Sequence, residues 1–228
     1  MLFLLGLVGV VIALLLLLRP QANVEAAPET AAAASAAPAA TDTEMGGGGP
    51  ETAVAGAPIP AAPAGLLSPL FTPEVRHWEP QIVAWAAEFD LDPNLVATIM
   101  QIESCGDPTA LSHAGASGLF QVMPFHFAAG EDPFDPDTNA RRGLAYYVER
   151  LQQTEGDVGR AFAGYNGGQR AAAGSWDTWA AETRRYYVWT TGLYADVQAG
   201  LAVSPTLLDW IQSGAGTYCQ VAARKLGL

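Results

Sequence analysis

The rhythm of hydrophobic positions divides the chain into three stretches. The first, Leu2 to Leu18, is an unbroken apolar run closed by Arg19-Pro20. At 1.5 Å per residue it extends about 26 Å, slightly short of a ~30 Å hydrocarbon core but close enough to insert. No Lys or Arg precedes the run, and it is longer than the apolar region of a usual signal peptide. No A-x-A site follows closely, so an uncleaved anchor over 1–19 is favoured over a removed signal. Arg19, downstream of the run, points weakly toward a cytoplasmic domain.

Residues 20–71 are Ala, Pro, Gly, Thr and Glu, with almost no large hydrophobe before Leu66. Such a stretch cannot bury enough apolar surface to offset its ordering entropy, so it is expected to be a disordered linker. As a coil, about 50 residues reach on the order of 40 Å.

From residue 72 the spacing becomes helical. Glu79-Pro80 opens one helix, with Ile82, Trp85, Ala86 and Phe89 on one face. Asp92-Pro93 opens a second, carrying Leu95, Val96, Ile99, Met100, Ile102 and then Glu103. Asp137–Gln153 is a third, and Val158–Tyr165, Trp179–Ala195, Pro205–Gln212 (capped by Ser204) and Tyr218–Lys225 follow. Strand-type alternation is nearly absent. The fold class read from the pattern is all-α, over a domain spanning 72–228.

Composition narrows the function. The chain has 228 residues and a formal net charge of −12, with 11 Lys and Arg against 23 Asp and Glu. No basic face is available to neutralise phosphates, so a nucleic-acid partner is not expected. Two cysteines and three scattered histidines offer no metal-ligand spacing, so neither metal nor cofactor is expected.

One carboxylate is out of place. Glu103 follows Val96, Ile99 and Met100 at i+7, i+4 and i+3, which puts it on the apolar stripe of its own helix. It also lies at the negative end of the helix macrodipole. Burial and dipole both disfavour the ionised form, predicting a raised pKa and a group able to donate a proton near neutral pH. On these residues alone, a snorkelling or N–H-paired structural glutamate at a helix end is the favoured reading.

The surroundings change that balance. Glu103-Ser104, GASGLFQVMP at 115–124, AGYNGG at 163–168 and Glu182-Thr183 ahead of an aromatic helix follow one another in order, with nine-residue steps from Glu103 to Ser112 to Gln121. In this the chain resembles the SLT-type lytic transglycosylases of glycoside hydrolase family 23, whose fold is similar to goose-type lysozyme. The resemblance covers about residues 73–195. It implies that Glu103 is the catalytic acid and base, and that Ser112, Gln121, Tyr165, Asn166 and Glu182 bind substrate. The Tyr165 hydroxyl would point at the acid and Asn166 would order its loop. Two positions depart from the pattern: Phe120 stands where Met is usual, with an expected effect on the wall of the glycan groove, and Gly164 replaces Ala, with none expected.

The mechanism implied by the resemblance needs one carboxylate, whereas ordinary glycosidases place two across the scissile bond. Asp107, before Pro108, reads as a turn or cap residue rather than a partner. The implied substrate is peptidoglycan, cut between N-acetylmuramic acid and N-acetylglucosamine to leave a 1,6-anhydro ring. A hydrolytic muramidase on the same fold and a non-catalytic glycan-binding module are the alternatives. Peptidoglycan lies outside the cytoplasmic membrane, which overrides Arg19: a monomeric, extracytoplasmic domain tethered to the membrane is expected. In that oxidising compartment Cys105 and Cys219 are expected to form a disulfide tying the C-terminal extension, 201–228, to the end of the Glu103 helix.

Overall fold

Capping side chains and prolines set the starts of the main helices. The Asp92, Asp135, Asp157 and Ser204 side chains accept from the backbone N–H of Asn94, Thr138, Arg160 and Leu207, each at 2.9 Å. Pro93, Pro136 and Pro205 follow three of these caps, where the missing amide costs nothing. The computed structural model describes residues 67–228, and its described residues are overwhelmingly helical: α1 Pro73–Arg76, α2 Glu79–Phe89, α3 Pro93–Glu103, α4 Pro136–Gln153, α5 Val158–Ala173, α6 Ala181–Gln198, α7 Pro205–Trp210 and α8 Gly216–Leu226. Isolated antiparallel bridges pair Ser117 with Leu111 and Val122.

The proposed anchor, 1–19, and most of the linker lie outside the described residues. No helix among the described residues is long and apolar enough to cross a membrane. Leu67 and Phe71, which the composition assigns to the linker, are buried in the core. Short α1 went unpredicted because four residues carry no periodicity. Helix α5 runs past Tyr165 to Ala173 with a kink at Gly168 (φ 74°), so the YNGG segment is a bent helix and not a terminus. The helix expected over Pro205–Gln212 ends at Trp210 in a π turn, Ile211–Ala215.

Helix α3 is the centre of the packing, with every residue from Asn94 to Glu103 buried. It lies against α2 and α6, while α5 packs between α4 and α6. The polar residues of α3 are satisfied internally. Thr98 Oγ1 donates to the Asn94 carbonyl (2.7 Å), and Gln101 accepts from Thr72 N (3.1 Å) while its amide nitrogen lies 3.1 Å from Cys105 Sγ. Trp210, from the C-terminal extension, is only 1% exposed and packs into the same core.

Two cross-links bind that extension to the residues following Glu103. Cys105 and Cys219 form a disulfide across a sequence separation of 114. The Lys225 ammonium donates to the Asp107 carboxylate (2.7 Å), which also accepts from Thr109 N and Oγ1 (2.9 and 3.0 Å), so Asp107 is a turn residue with a distant ionic partner. Glu74 also lies beside the two sulfurs, but their mutual bond leaves neither free as a thiolate ligand. A thiol titration of denatured, unreduced protein should find no free thiol. Replacing both cysteines by serine should lower unfolding stability by about 2–5 kcal/mol in a denaturant titration, the range for a long closed loop.

Candidate active site

The proton-bearing group comes from the last residue of α3. Glu103 is 8% exposed and its pKa is pushed up to about 8 from the ordinary 4.5, first because burial removes the water that would solvate a carboxylate. The Tyr186 hydroxyl, from α6, acts in the opposite sense by offering its proton to the ionised form. The negative charge of Glu182 adds to the rise. Tyr186 faces the carboxyl without the alignment of a well-formed hydrogen bond in this geometry. Residues from α3, α5 and α6 thus meet at one carboxyl, since Tyr165 of α5 also feels its charge.

The loop after α3 is fastened to this end of the helix. Ser104 Oγ donates to the Leu119 carbonyl (2.7 Å), and Tyr165 Oη donates to the Phe120 carbonyl (2.7 Å). The Tyr165 hydroxyl thus gives its proton to the Phe120 carbonyl while the ring stays within reach of the Glu103 charge. A buried phenol needs an acceptor, and the GLFQ backbone supplies it. The hydroxyl offered to the acid itself belongs to Tyr186, on α6.

Asn139, which the sequence pattern did not single out, holds the same loop from α4. Its Oδ1 accepts from Phe120 N (2.8 Å), and its Nδ2 donates to the Ser117 and Pro133 carbonyls (2.7 and 2.9 Å). Gly118 (φ 74°) is required beneath it, because a Cβ there would lie 2.4 Å from Asn139 Nδ2. A lone Asn in a helix gives no sequence signal of such a clamp.

The other expected site residues fall into two groups. Ser112 and Gln121 are buried in the loop's own hydrogen bonds: Ser112 Oγ accepts from Ala116 N (2.9 Å), and Gln121 Nε2 donates to the Gly118 carbonyl (3.0 Å). Gln121 also sits at φ 46°, in the left-handed region that non-glycine residues seldom adopt. Asn166 Oδ1 accepts from Thr183 Oγ1 (2.9 Å), which fixes the bent part of α5 to the first turn of α6 beside Glu182. Glu103, Tyr165, Tyr186 and Glu182 are brought into direct electrostatic contact. Ser112, Gln121 and Asn166 join them through the loop and helix contacts above.

The two departures from the family pattern are explained by packing. Phe120 is fully buried, edge-on to Trp85 at 5.9 Å between centroids, so it fills the core and does not line a groove. At Gly164 a Cβ would lie 2.6 Å from Ala172 Cβ, so glycine here is needed for close packing within α5 and is not an idle change.

Comparison with known proteins gives a consistent result. Residues 80–187 match the family described as "Transglycosylase SLT domain". The chain is 38% identical over 112 residues to a transglycosylase of Enterobacteria phage PRD1, covering 48% of this chain and 40% of that protein. It is 38% identical over 69 residues to membrane-bound lytic murein transglycosylase C of Actinobacillus pleuropneumoniae, covering 30% of this chain and 17% of that one. The chain thus spans less than half the length of these curated relatives. The solved lytic transglycosylase Slt from Pseudomonas aeruginosa is 24% identical with a TM-score of 0.39, over 64% of this chain and 24% of its own.

The raised Glu103 pKa links pH to stability. Between about pH 4.5 and 8 the folded protein holds a proton that the unfolded chain has released. This stabilisation is complete below the unfolded pKa and is lost as pH rises toward 8. Unfolding titrations should therefore show Glu103→Gln gaining on the parent across that window, by on the order of 3–5 kcal/mol. Parallel pH profiles for the two proteins would contradict the burial assigned to Glu103.

Proposed function

From the premise that residues 80–187 belong to the transglycosylase SLT domain family, we propose that this chain is a peptidoglycan lytic transglycosylase working through Glu103. The observation that carries the reading is a carboxyl buried at a helix end, with a pKa of about 8, inside the matched segment.

Protonated Glu103 donates to the oxygen linking N-acetylmuramic acid to N-acetylglucosamine, and the muramic C1–O bond breaks. The oxocarbenium-like centre is stabilised by the muramic N-acetyl carbonyl. Glu103, now a carboxylate, takes the proton from the muramic C6 hydroxyl as that oxygen closes on C1, so the acid is regenerated and no water is consumed. An internal nucleophile has the high effective concentration of an intramolecular reaction. Tyr186, beside the carboxyl, favours the transient carboxylate through its hydroxyl, while burial and Glu182 restore the acid form. Ser112, Gln121 and Asn166 hold the walls that meet the sugars. Neither metal nor cofactor enters any step of this scheme.

The Cys105–Cys219 disulfide supports an extracytoplasmic location, since such bonds persist in oxidising compartments. Together with the apolar run at 2–18, it supports a domain on the wall side of a membrane anchor.

The proximity of Glu182 favours one second reading, a hydrolytic muramidase, because it gives the site another carboxylate. Mass spectrometry of digested sacculi separates the two, the 1,6-anhydro product being one water lighter. The expected product is the anhydro form. Glu103→Gln should cut turnover by roughly 10²–10⁴-fold or more. In the parent, activity should fall as pH rises through about 8 and the acid form is lost. Cleavage by Glu103→Gln at the parent rate would end the assignment of Glu103, whereas binding of sacculi without cleavage by the parent would leave a glycan-binding module.

A further inference from the structure

The disulfide that follows the acid joins a strained backbone to the site. Cys105 is the second residue after Glu103 and holds φ 52°, a left-handed conformation that residues with side chains seldom adopt. Gly106 follows at φ 80°, its N–H donating to Ser104 Oγ (3.1 Å) and its carbonyl accepting from Trp78 Nε1 (2.9 Å). Ser104 Oγ is also the atom that donates to the Leu119 carbonyl. A shift at Cys105 therefore reaches both the acid and the GLFQ loop through Ser104.

The polar groups around the sulfurs suit the reduced state better than the oxidised one. Glu74, 9% exposed, has a buried Oε2 with no hydrogen-bond partner, and its carboxylate lies within 4.8 Å of both sulfurs. A disulfide has no proton to offer that oxygen, whereas a thiol has one. The Gln101 amide nitrogen, 3.1 Å from Cys105 Sγ and 3.8 Å from Cys219 Sγ, is a donor for a thiolate, as is the Thr72 hydroxyl, 3.4 Å from Cys105 Sγ. Cys105 is fully buried, but Cys219 keeps 8% of its surface, on a helix entered through a π turn with Gly214 at φ 107°. The extension has other moorings besides the disulfide, because Trp210 packs into the core and Lys225 holds Asp107.

We propose that Cys105–Cys219 is a thiol-exchange site at which a dithiol loosens the end of α3 and slows cleavage; this rests on the peptidoglycan reading of the Glu103 site. One thiolate of the dithiol attacks Cys219 Sγ, the more accessible sulfur, to form a mixed disulfide. Cys105 leaves as a thiolate stabilised by Gln101 and Thr72. The second sulfur of the dithiol then displaces Cys219. The dithiol ends as a disulfide, its two protons pass to Cys105 and Cys219, and one of the new S–H groups donates to Glu74. Freed from the bond, Cys105 leaves its left-handed conformation and water reaches the end of α3. Glu103 then loses part of the burial that keeps it protonated.

The test compares the full chain before and after dithiothreitol, with thiols counted by alkylation in the absence of denaturant. Reduction should free both cysteines, keep the helical circular dichroism and lower kcat/KM on solubilised glycan strands by roughly 10–100-fold, the scale of an ångström-sized misplacement. The fall of activity near pH 8 should move to lower pH, and reoxidation should restore rate and profile together. The double variant Cys105→Ser, Cys219→Ser should be slow with or without dithiothreitol. Glu74→Met should leave the oxidised chain's activity unchanged but raise the dithiothreitol needed for half-reduction by roughly tenfold. Thiols that appear only in denaturant, loss of helicity on reduction, or half-reduction unmoved by Glu74→Met would overturn the exchange site. A chain that cleaves at one rate, with one pH profile, in both redox states would sink the exchange site alone. If the oxidised chain cleaves nothing, the lytic assignment fails alone. The site is then read from the pH-dependent stability gap between the parent and Glu103→Gln, which should narrow on reduction.

Discussion

The whole arrangement depends on keeping one carboxyl group uncharged inside protein. A glutamate loses its charge near neutral pH only where water is removed and no cation replaces it, and α3 meets both conditions by being buried along its length and ending at Glu103. Burial is the largest cause of the shift, and Tyr186 and Glu182 oppose each other over the remainder. A lysine or arginine in the place of Tyr186 would pull the proton off and leave a structural ion pair. A neutral phenol permits both protonation states, which a group acting as acid and then as base requires.

Such a site also has to be held still, because a buried carboxyl costs stability that neighbouring contacts must offset. The bracing converges on the residues just after Glu103. Ser104 is bonded to the GLFQ loop, Cys105 to Cys219, and Asp107 to Lys225. Two of these three ties reach more than 100 residues along the chain, into the C-terminal extension. That extension carries none of the motifs, yet it fixes the exit of the helix whose last residue is the acid. Loop entropy explains the choice of long-range ties, since closing a long loop restrains the unfolded chain more than closing a short one.

Much of this was legible in the sequence, for physical reasons that can be named. The helices beginning at Asp92 and near Asp135 carry a cap, a proline and an apolar period, three signals that agree, and each starts within a residue or so of where the pattern puts it. The burial of Glu103 followed from its place on an apolar stripe. What escaped depends on groups distant in sequence. Nothing in the spacing of α4 shows that Asn139 clamps Ser117 and Phe120, because a buried amide is recognised by its partners and not by its neighbours. The acceptor of the Tyr165 hydroxyl, the Phe120 carbonyl, escaped for the same reason. The i, i+3, i+4 pattern of α3 suggested one buried face, whereas Thr98 and Gln101 are buried too, their polarity absorbed by local and long-range hydrogen bonds.

The positions where residues 80–187 depart from the SLT-domain pattern show how the site tolerates change. Phe120 and Gly164 both belong to motif segments, and a reading of motifs alone would place their effects on the sugar. Instead each side chain, or its absence, is matched by another: Phe120 meets Trp85, and the space over Gly164 is taken by Ala172. Their backbones remain tied to the site, since the Phe120 carbonyl accepts from Tyr165 and its N–H donates to Asn139 Oδ1. The motif at these positions therefore specifies a path of backbone, and side-chain identity answers to the core behind it. Glu103 is the opposite case, a position where the side chain's own chemistry is the requirement and the surrounding helix is arranged to supply it.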